Sequence, residues 1–93
     1  MVIEPADDLA ANGLGIAYYS KGEYDKASEC YQQAIAINPD NFIYHANLGD
    51  AYRGAQNWEK AIAAYKAALS MNPKDDLSYN GLGIAYSKII AVT

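Results

Sequence analysis

Apolar and polar positions along this chain repeat on two scales. The shorter spacing, of three and four residues, is typical of amphipathic helices, and it predicts five of them over roughly 8–21, 24–37, 42–55, 58–71 and 76–90. The longer scale is a period of 34 residues, so that Leu14-Gly15 returns as Leu48-Gly49 and again as Leu82-Gly83. Such a period indicates units that must stack on their neighbours to bury a continuous core.

The residues between the apolar stretches are suited to ending and starting helices. Gly22 can adopt the left-handed conformation that ends the first helix. The second unit has Gln56 at that place, which predicts a less favourable turn, and Asn57 then caps the following helix. Breaks this short predict that neighbouring helices pack antiparallel. The side chains expected to cap the other helices are Asp7 or Asp8, Asn41 and Asp75.

The repeating unit resembles the tetratricopeptide repeat family, whose signature is W-x2-L-G-x2-Y, then A-x3-F, then P. The first unit reads Ala11-x2-Leu14-Gly15-x2-Tyr18, Ala27-x3-Tyr31 and Pro39. The second reads His45-x2-Leu48-Gly49-x2-Tyr52, Ala61-x3-Tyr65 and Pro73, and the third stops after Tyr79-x2-Leu82-Gly83-x2-Tyr86. Ala11 and His45 stand where the family prefers a large aromatic residue. The resemblance implies an all-α, right-handed helical-repeat solenoid of about two and a half helix-turn-helix units.

The repeats predict a single domain over residues 1–93, with units at 8–41 and 42–75 and a partial unit at 76–93. Ile3-Glu4-Pro5 matches Ile37-Asn38-Pro39 one period later, so residues 1–7 are interpreted as the tail of a missing preceding repeat. Two interpretations stay open. One is a fragment of a longer array, which we favour, and the other is a small protein of two and a half repeats.

The charge and cysteine content exclude several classes of partner. The net charge is -4 and the seven basic residues are scattered, which argues against binding to nucleic acid. Cys30 is the chain's one cysteine and favours a reducing compartment, so we predict a cytoplasmic location. The periplasm stays open, since a fragment would have lost its signal peptide. No apolar run approaches the roughly 18 residues of a membrane span, so no membrane partner is predicted.

The residues that could carry chemistry have simpler structural explanations. Gly13-Leu14-Gly15 lies within a helical pattern and lacks the strand and third glycine of a phosphate-binding turn. His45 has no second histidine or cysteine with which to hold a metal. Asp7-Asp8 and Asp75-Asp76 stand at helix starts, where the helix dipole favours negative charge. Cys30 has no basic neighbour in sequence to activate it. We therefore predict a non-catalytic protein with no cofactor and no metal.

The resemblance implies that the first helix of each repeat lines a concave groove that holds a peptide or a helix. At about 100° per residue, Ala11, Leu14, Gly15 and Tyr18 form one face, which is predicted to be core, and a second face lies roughly 130° away. Its aliphatic and asparagine side chains favour a peptide or an amphipathic helix as ligand. The predicted groove residues are Leu9, Asn12, Ile16, Tyr19, Ile43, Asn47, Asp50, Arg53, Leu77, Asn80 and Ile84.

One use of the family is a clamp for the acidic C-terminal tails of chaperones. The clamp needs lysine and asparagine on the first helix, asparagine on the middle one, and lysine and arginine on the third. This chain has Asn12 and Ile16, then Asn47, then Leu77 and Gly81 at these places. Only Asn47 matches, so the sequence predicts that a chaperone C-terminal tail is not the ligand.

The last helix suggests an alternative function, that of a self-associating scaffold. No partner helix follows it in the sequence, so its apolar side chains are expected to stay exposed and to favour a homo-oligomer. Burying one such side chain is worth roughly 1.5–3 kcal/mol. The residues predicted for this contact are Leu82, Tyr86, Ile89, Ile90 and Val92.

Overall fold

A computed structural model describes residues 7–92 and shows five α-helices, with no strand in that part of the chain. The helices are α1 (Asp8–Ser20), α2 (Tyr24–Ile37), α3 (Phe42–Gly54), α4 (Trp58–Met71) and α5 (Asp76–Val92). All five match the predicted helices to within two residues at each end. The predicted remnant of a preceding repeat at Ile3-Glu4-Pro5 lies outside the described residues.

Three of the predicted capping side chains accept hydrogen bonds at helix starts, and the Asp75 carboxylate accepts one from the Ser78 hydroxyl. The side chain of Asp7 accepts a hydrogen bond from the backbone N–H of Ala10 at 2.6 Å, and Asn41 accepts one from Ile43 at 3.0 Å. Asn57 likewise accepts from Lys60 at 3.4 Å. The two turns between paired helices are left-handed, with φ of 78° at Gly22 and 63° at Gln56. Both turns therefore have the predicted form, and Gln56 adopts it without the freedom of glycine.

The helices form two layers, with α1, α3 and α5 in one and α2 and α4 in the other. Within the described residues α1 contacts α3 and α3 contacts α5, whereas α2 and α4 are not in contact. The helices of the first layer lie closer together than those of the second, and the array therefore curves toward the first layer. The concave surface therefore belongs to α1, α3 and α5, as the family resemblance implies. We call this the inner face.

Tyrosine rings packed against glycines hold the two layers together. A Cβ atom on Gly15 would lie 2.6 Å from the ring of Tyr31, and one on Gly49 would lie 2.7 Å from the ring of Tyr65. The Tyr65 ring also packs against Gly81 on α5. Tyr31 and Tyr65 are 2% and 1% exposed, so each ring fills the space that the glycine leaves. These contacts explain why a glycine and a tyrosine recur at these positions in both complete repeats.

The predicted core face of α1 needs one correction. Leu14 is 41% exposed, whereas its counterparts Leu48 and Leu82 pack against buried clusters on the helix that precedes each of them. Ala17 is likewise exposed, while Ala51 is fully buried. No described helix precedes α1, so the positions that would face such a helix remain open.

Candidate functional site

Exposed aliphatic side chains occur on each of the three helices that form the inner face. Leu9 and Leu77 are 73% and 79% exposed, and Ile16 and Ile43 are each 47% exposed. They come from α1, α3 and α5, at positions that the sequence predicted for the groove. A surface of this kind gains free energy when a ligand covers it, at roughly 25 cal/mol per Å² of apolar area.

Hydrogen bonds between side chains close the inner face between α1 and α3. The Asn47 amide donates to the Asn12 side-chain oxygen at 2.8 Å. The Tyr44 hydroxyl and the Asn38 amide donate to the Asp8 carboxylate at 2.6 Å and 3.2 Å. These two donors, Tyr44 first, lower the pKa of Asp8. Asn12 and Asn47 were both predicted for the groove, and one hydrogen bond joins their side chains.

Between α3 and α5 the inner face is open instead. A cavity of about 260 Å³ lies there, which we call the α3/α5 cavity. Its wall includes four of the predicted groove residues, namely Ile43, Asn47, Asp50 and Leu77. This volume is slightly below the usual range for small-molecule sites, so it suits a single side chain better than a whole ligand.

Asp50 on the cavity wall is positioned by two neighbours. Its Oδ1 atom accepts a hydrogen bond from the Tyr65 hydroxyl at 2.5 Å and lies 3.4 Å from the Arg53 guanidinium. Arg53 also donates from Nε to the Tyr65 oxygen at 3.0 Å. Burial and the bond to Asp50 raise the pKa of Tyr65 well above its usual value. The three groups form a fixed polar cluster beneath the groove.

The remaining predicted groove residues, Tyr19, Asn80 and Ile84, differ in how far they are exposed. Tyr19 is half-buried, packs against the cluster around Ala27 and Tyr31, and makes an edge contact with Tyr24 at 5.4 Å between ring centroids. Most of the Tyr19 ring therefore belongs to the core. Asn80 is exposed and Ile84 is half-buried on α5.

Several residues that shape the cavity were not singled out for the groove in the sequence. Phe42 and Ser78 line it, as does Asp75, whose carboxylate accepts a hydrogen bond from Ser78 at 2.5 Å. Tyr65, on α4 in the outer layer of α2 and α4, also lines the cavity. The signal that could have found Ser78 is its place one period after Tyr44, where a large residue has become small.

No helix within residues 7–92 covers the far side of α5. A Cβ on Gly83 would meet nothing within 4 Å, whereas its counterparts Gly15 and Gly49 each receive a tyrosine ring. Of the residues predicted for self-association, Leu82 is partly buried, Tyr86 is 39% exposed and Ile90 is 70% exposed. Ile89 is half-buried, and the side chain of Val92 lies outside the described part.

The residues considered for chemistry are accounted for by packing and hydrogen bonds. The Nε2 atom of His45 lies 3.0 Å from the Pro39 carbonyl oxygen. Cys30 is buried, and burial, with the nearby Glu29 charge, raises the pKa of its thiol and so lowers its reactivity. Within residues 7–92, no three histidine, cysteine, aspartate or glutamate side chains gather as a metal site would require. No helix in the same range is long and apolar enough to cross a membrane.

Known proteins share this architecture. The TPR domain of Sgt2 from Aspergillus fumigatus is 30% identical, with a TM-score of 0.87, over 94% of this chain and 58% of that one. The second TPR domain of human RPAP3, solved with the HSP70 peptide SGPTIEEVD, is 26% identical, with a TM-score of 0.81, over 84% of this chain and 65% of its own.

A curated relative and a family profile complete the comparison. A 29-residue segment is 52% identical to the peroxisomal targeting signal receptor of Yarrowia lipolytica, covering 31% of this chain and only 5% of that receptor. The profile of the TPR repeat matches residues 15–56 and 49–89. The chain therefore belongs to the tetratricopeptide repeat family.

Proposed function

We propose that this chain is a non-catalytic module that binds a peptide or a helix along its inner face. The observation that carries the proposal is the row of exposed aliphatic side chains at Leu9, Ile16, Ile43 and Leu77, interrupted by the α3/α5 cavity. The second TPR domain of human RPAP3, which shares this fold, was solved in complex with a peptide, and this supports the proposal. The buried, free Cys30 suits a reducing compartment, so the proposal includes a cytoplasmic location.

The ligand is proposed to differ from the acidic-ended peptide held by that relative. Among the predicted groove residues, Arg53 carries the one positive charge, and its guanidinium is already bonded to Tyr65 and Asp50. The carboxylates of Asp50 and Asp75 line the cavity and would repel an acidic ligand. A peptide with apolar and basic residues fits this surface better.

A display library of random peptides, screened against the purified chain, tests the proposal. Ile16→Asp combined with Ile84→Asp should abolish capture of the selected peptides, because both changes place charge on the inner face. Helicity should remain, since Ile16 is half-exposed. Ile37→Asp with Met71→Asp is the matched control: these residues lie at the ends of α2 and α4 and are 47% and 40% exposed. Capture that survives the first pair, or fails equally in both, would rule out the inner face.

The open face of α5 favours a second candidate, self-association with another copy of the chain. Gly83 lies on a surface like the one that α2 covers on α1, and no described atom would lie within 4 Å of a Cβ there. Tyr86 beside it is 39% exposed, with the Lys66 ammonium of α4 5.7 Å from its ring centroid. Replacing Ile89 and Ile90 with lysine, or removing residues 89–93, should then convert an oligomer into a monomer in sedimentation velocity. A monomer at all concentrations in the unaltered chain would remove this candidate.

A further inference from the structure

The α3/α5 cavity exists because the third repeat departs from the second at specific positions. One period separates Tyr44 from Ser78, and Asp8 from Phe42. Between α1 and α3, the Tyr44 ring is 1% exposed and its hydroxyl is bonded to Asp8. Between α3 and α5, the serine fills far less space than that ring, and the space becomes part of the cavity.

The asparagine bridge between α1 and α3 also has no counterpart between α3 and α5. The bond between Asn12 and Asn47 spans α1 and α3. One period later these positions are Ala46 and Gly81, which have no polar side chain with which to bridge the helices. Ala46 accordingly lines the cavity. Between α3 and α5 both closing contacts are therefore missing: Ser78 and Ala46 line the cavity, and the Tyr65 ring packs against Gly81.

The charges around the cavity indicate what would fill it. Asp50 and Asp75 both contribute to the wall, and no lysine or arginine is among the described residues that line it. Asp75 takes part in no ion pair within residues 7–92, and Asp50 shares one oxygen with Tyr65 and Arg53. The other wall residues are largely apolar, including Phe42, Ala46 and Leu77. The complementary side chain has an apolar stem and a cationic head.

We infer that the α3/α5 cavity accepts an arginine side chain from the bound peptide. Its methylene stem packs against Leu77 and Phe42, and its guanidinium interacts with the carboxylates of Asp50 and Asp75. Arginine fits because its planar fork offers several donors at once and also stacks on an aromatic ring such as Phe42. This inference rests on the proposed function, since it assigns one subsite of the same groove.

The test uses Nα-acetyl-arginine amide as the probe, with binding followed through the backbone amide resonances of the full chain. Resonances of Ala46, Asn47 and Ser78 should shift in a saturable way, with a dissociation constant of roughly millimolar order. The citrulline amide has nearly the same shape without the charge, and should bind about tenfold more weakly. Lysine, tyrosine and leucine amides complete the series.

Two variants and one control locate the probe. Asp75→Asn should raise the dissociation constant roughly tenfold, and the asparagine keeps a side-chain oxygen that can accept from the Ser78 hydroxyl at the start of α5. Asp25→Asn removes the same charge at the start of α2, away from the cavity, and should leave binding unchanged. Ser78→Tyr installs the residue found one period earlier and should abolish binding in a chain that remains helical.

Equal binding of the arginine and citrulline amides would overturn the inference, as would equal effects of Asp75→Asn and Asp25→Asn. Stronger binding of the tyrosine or leucine amide would also overturn it. The proposed function fails separately: library peptides that need Ile16 and Ile84 but tolerate Asp75→Asn and Ser78→Tyr would uphold the groove and remove the arginine subsite.

Discussion

The hydroxyl of Tyr65, on α4, donates a hydrogen bond to the Asp50 carboxylate, on α3, at 2.5 Å. Tyr65 is 1% exposed, and Asp50 lies on the wall of the α3/α5 cavity. A buried core residue of the outer layer thus fixes the position of a charge on the inner face. Packing between the layers and chemistry in the groove are therefore coupled through this one contact.

Removing that hydroxyl should destabilise the fold. Tyr65→Phe keeps the ring but leaves Asp50 and Arg53 without their shared partner, at a cost of about 1.5 kcal/mol in the free energy of unfolding. Tyr31→Phe is the matched control, because the Tyr31 hydroxyl makes no hydrogen bond to another described side chain, and the change should be within about 0.5 kcal/mol of neutral. Urea denaturation measures both. Equal losses would show that the contact with Asp50 contributes nothing.

Alanine at two equivalent glycines should have opposite effects. Gly49→Ala places a Cβ 2.7 Å from the Tyr65 ring and should cost about 1–3 kcal/mol through overpacking. Gly83→Ala meets nothing within 4 Å and should stabilise α5 by up to about 1 kcal/mol through helix propensity. Thermal unfolding of the two variants distinguishes them. A loss of stability in Gly83→Ala would show that this face of α5 is covered, for instance by a second copy.

The left-handed turns offer a stabilising substitution. Gln56 has φ of 63°, which a residue with a Cβ adopts at a cost of about 1 kcal/mol. Gln56→Gly should therefore raise the melting temperature, while Gly22→Ala should lower it at the equivalent turn. Scanning calorimetry gives both values. An unchanged or lower melting temperature in Gln56→Gly would mean that the Gln56 side chain has a compensating role.

Buried tyrosines should limit stability at alkaline pH. Burial, and then the charge of Asp50, raises the pKa of Tyr31 to about 12, and burial raises the pKa of Tyr65 as well. Because these pKa values exceed the unfolded value of about 10, the stability they contribute is complete below about pH 10 and declines above it. Circular dichroism and tyrosinate absorbance should therefore show helix loss together with late tyrosine ionisation. Ionisation of all nine tyrosines in one step near pH 10, with helicity retained, would contradict this.

The spacing of three and four residues predicted the helices, and Gly22 and Gln56, at equivalent places in the 34-residue period, predicted the turns. The contacts of Gly15 with Tyr31 and of Gly49 with Tyr65 recur with the 34-residue period. The exposure of Leu14 and Ala17 did not follow, since identical residues are buried or open according to whether a helix precedes them. The core contacts of Tyr19 were not predicted for a similar reason, because they depend on residues of α2 and α3 that lie beside it only in the folded chain.

The cavity could not be read from periodicity, because it arises where the repeats differ. Ser78 takes the place of Tyr44, and Ala46 that of Asn12, and these two residues line one cavity only once α3 and α5 lie side by side. The cross-helix partners are also offset from the period: Asn12 pairs with Asn47, 35 residues later, and Asp8 with Tyr44, 36 residues later. These offsets depend on how far one helix is shifted along the next, which a single sequence does not specify.

The central claim is that the inner face binds a peptide, and a resonance map of one library-selected peptide on the full chain tests it most directly. We expect the shifted amides to cluster around Ile16, Ile43 and Leu77 on α1, α3 and α5. Shifts confined to α2 and α4, or to the surface around Gly83, would contradict the claim.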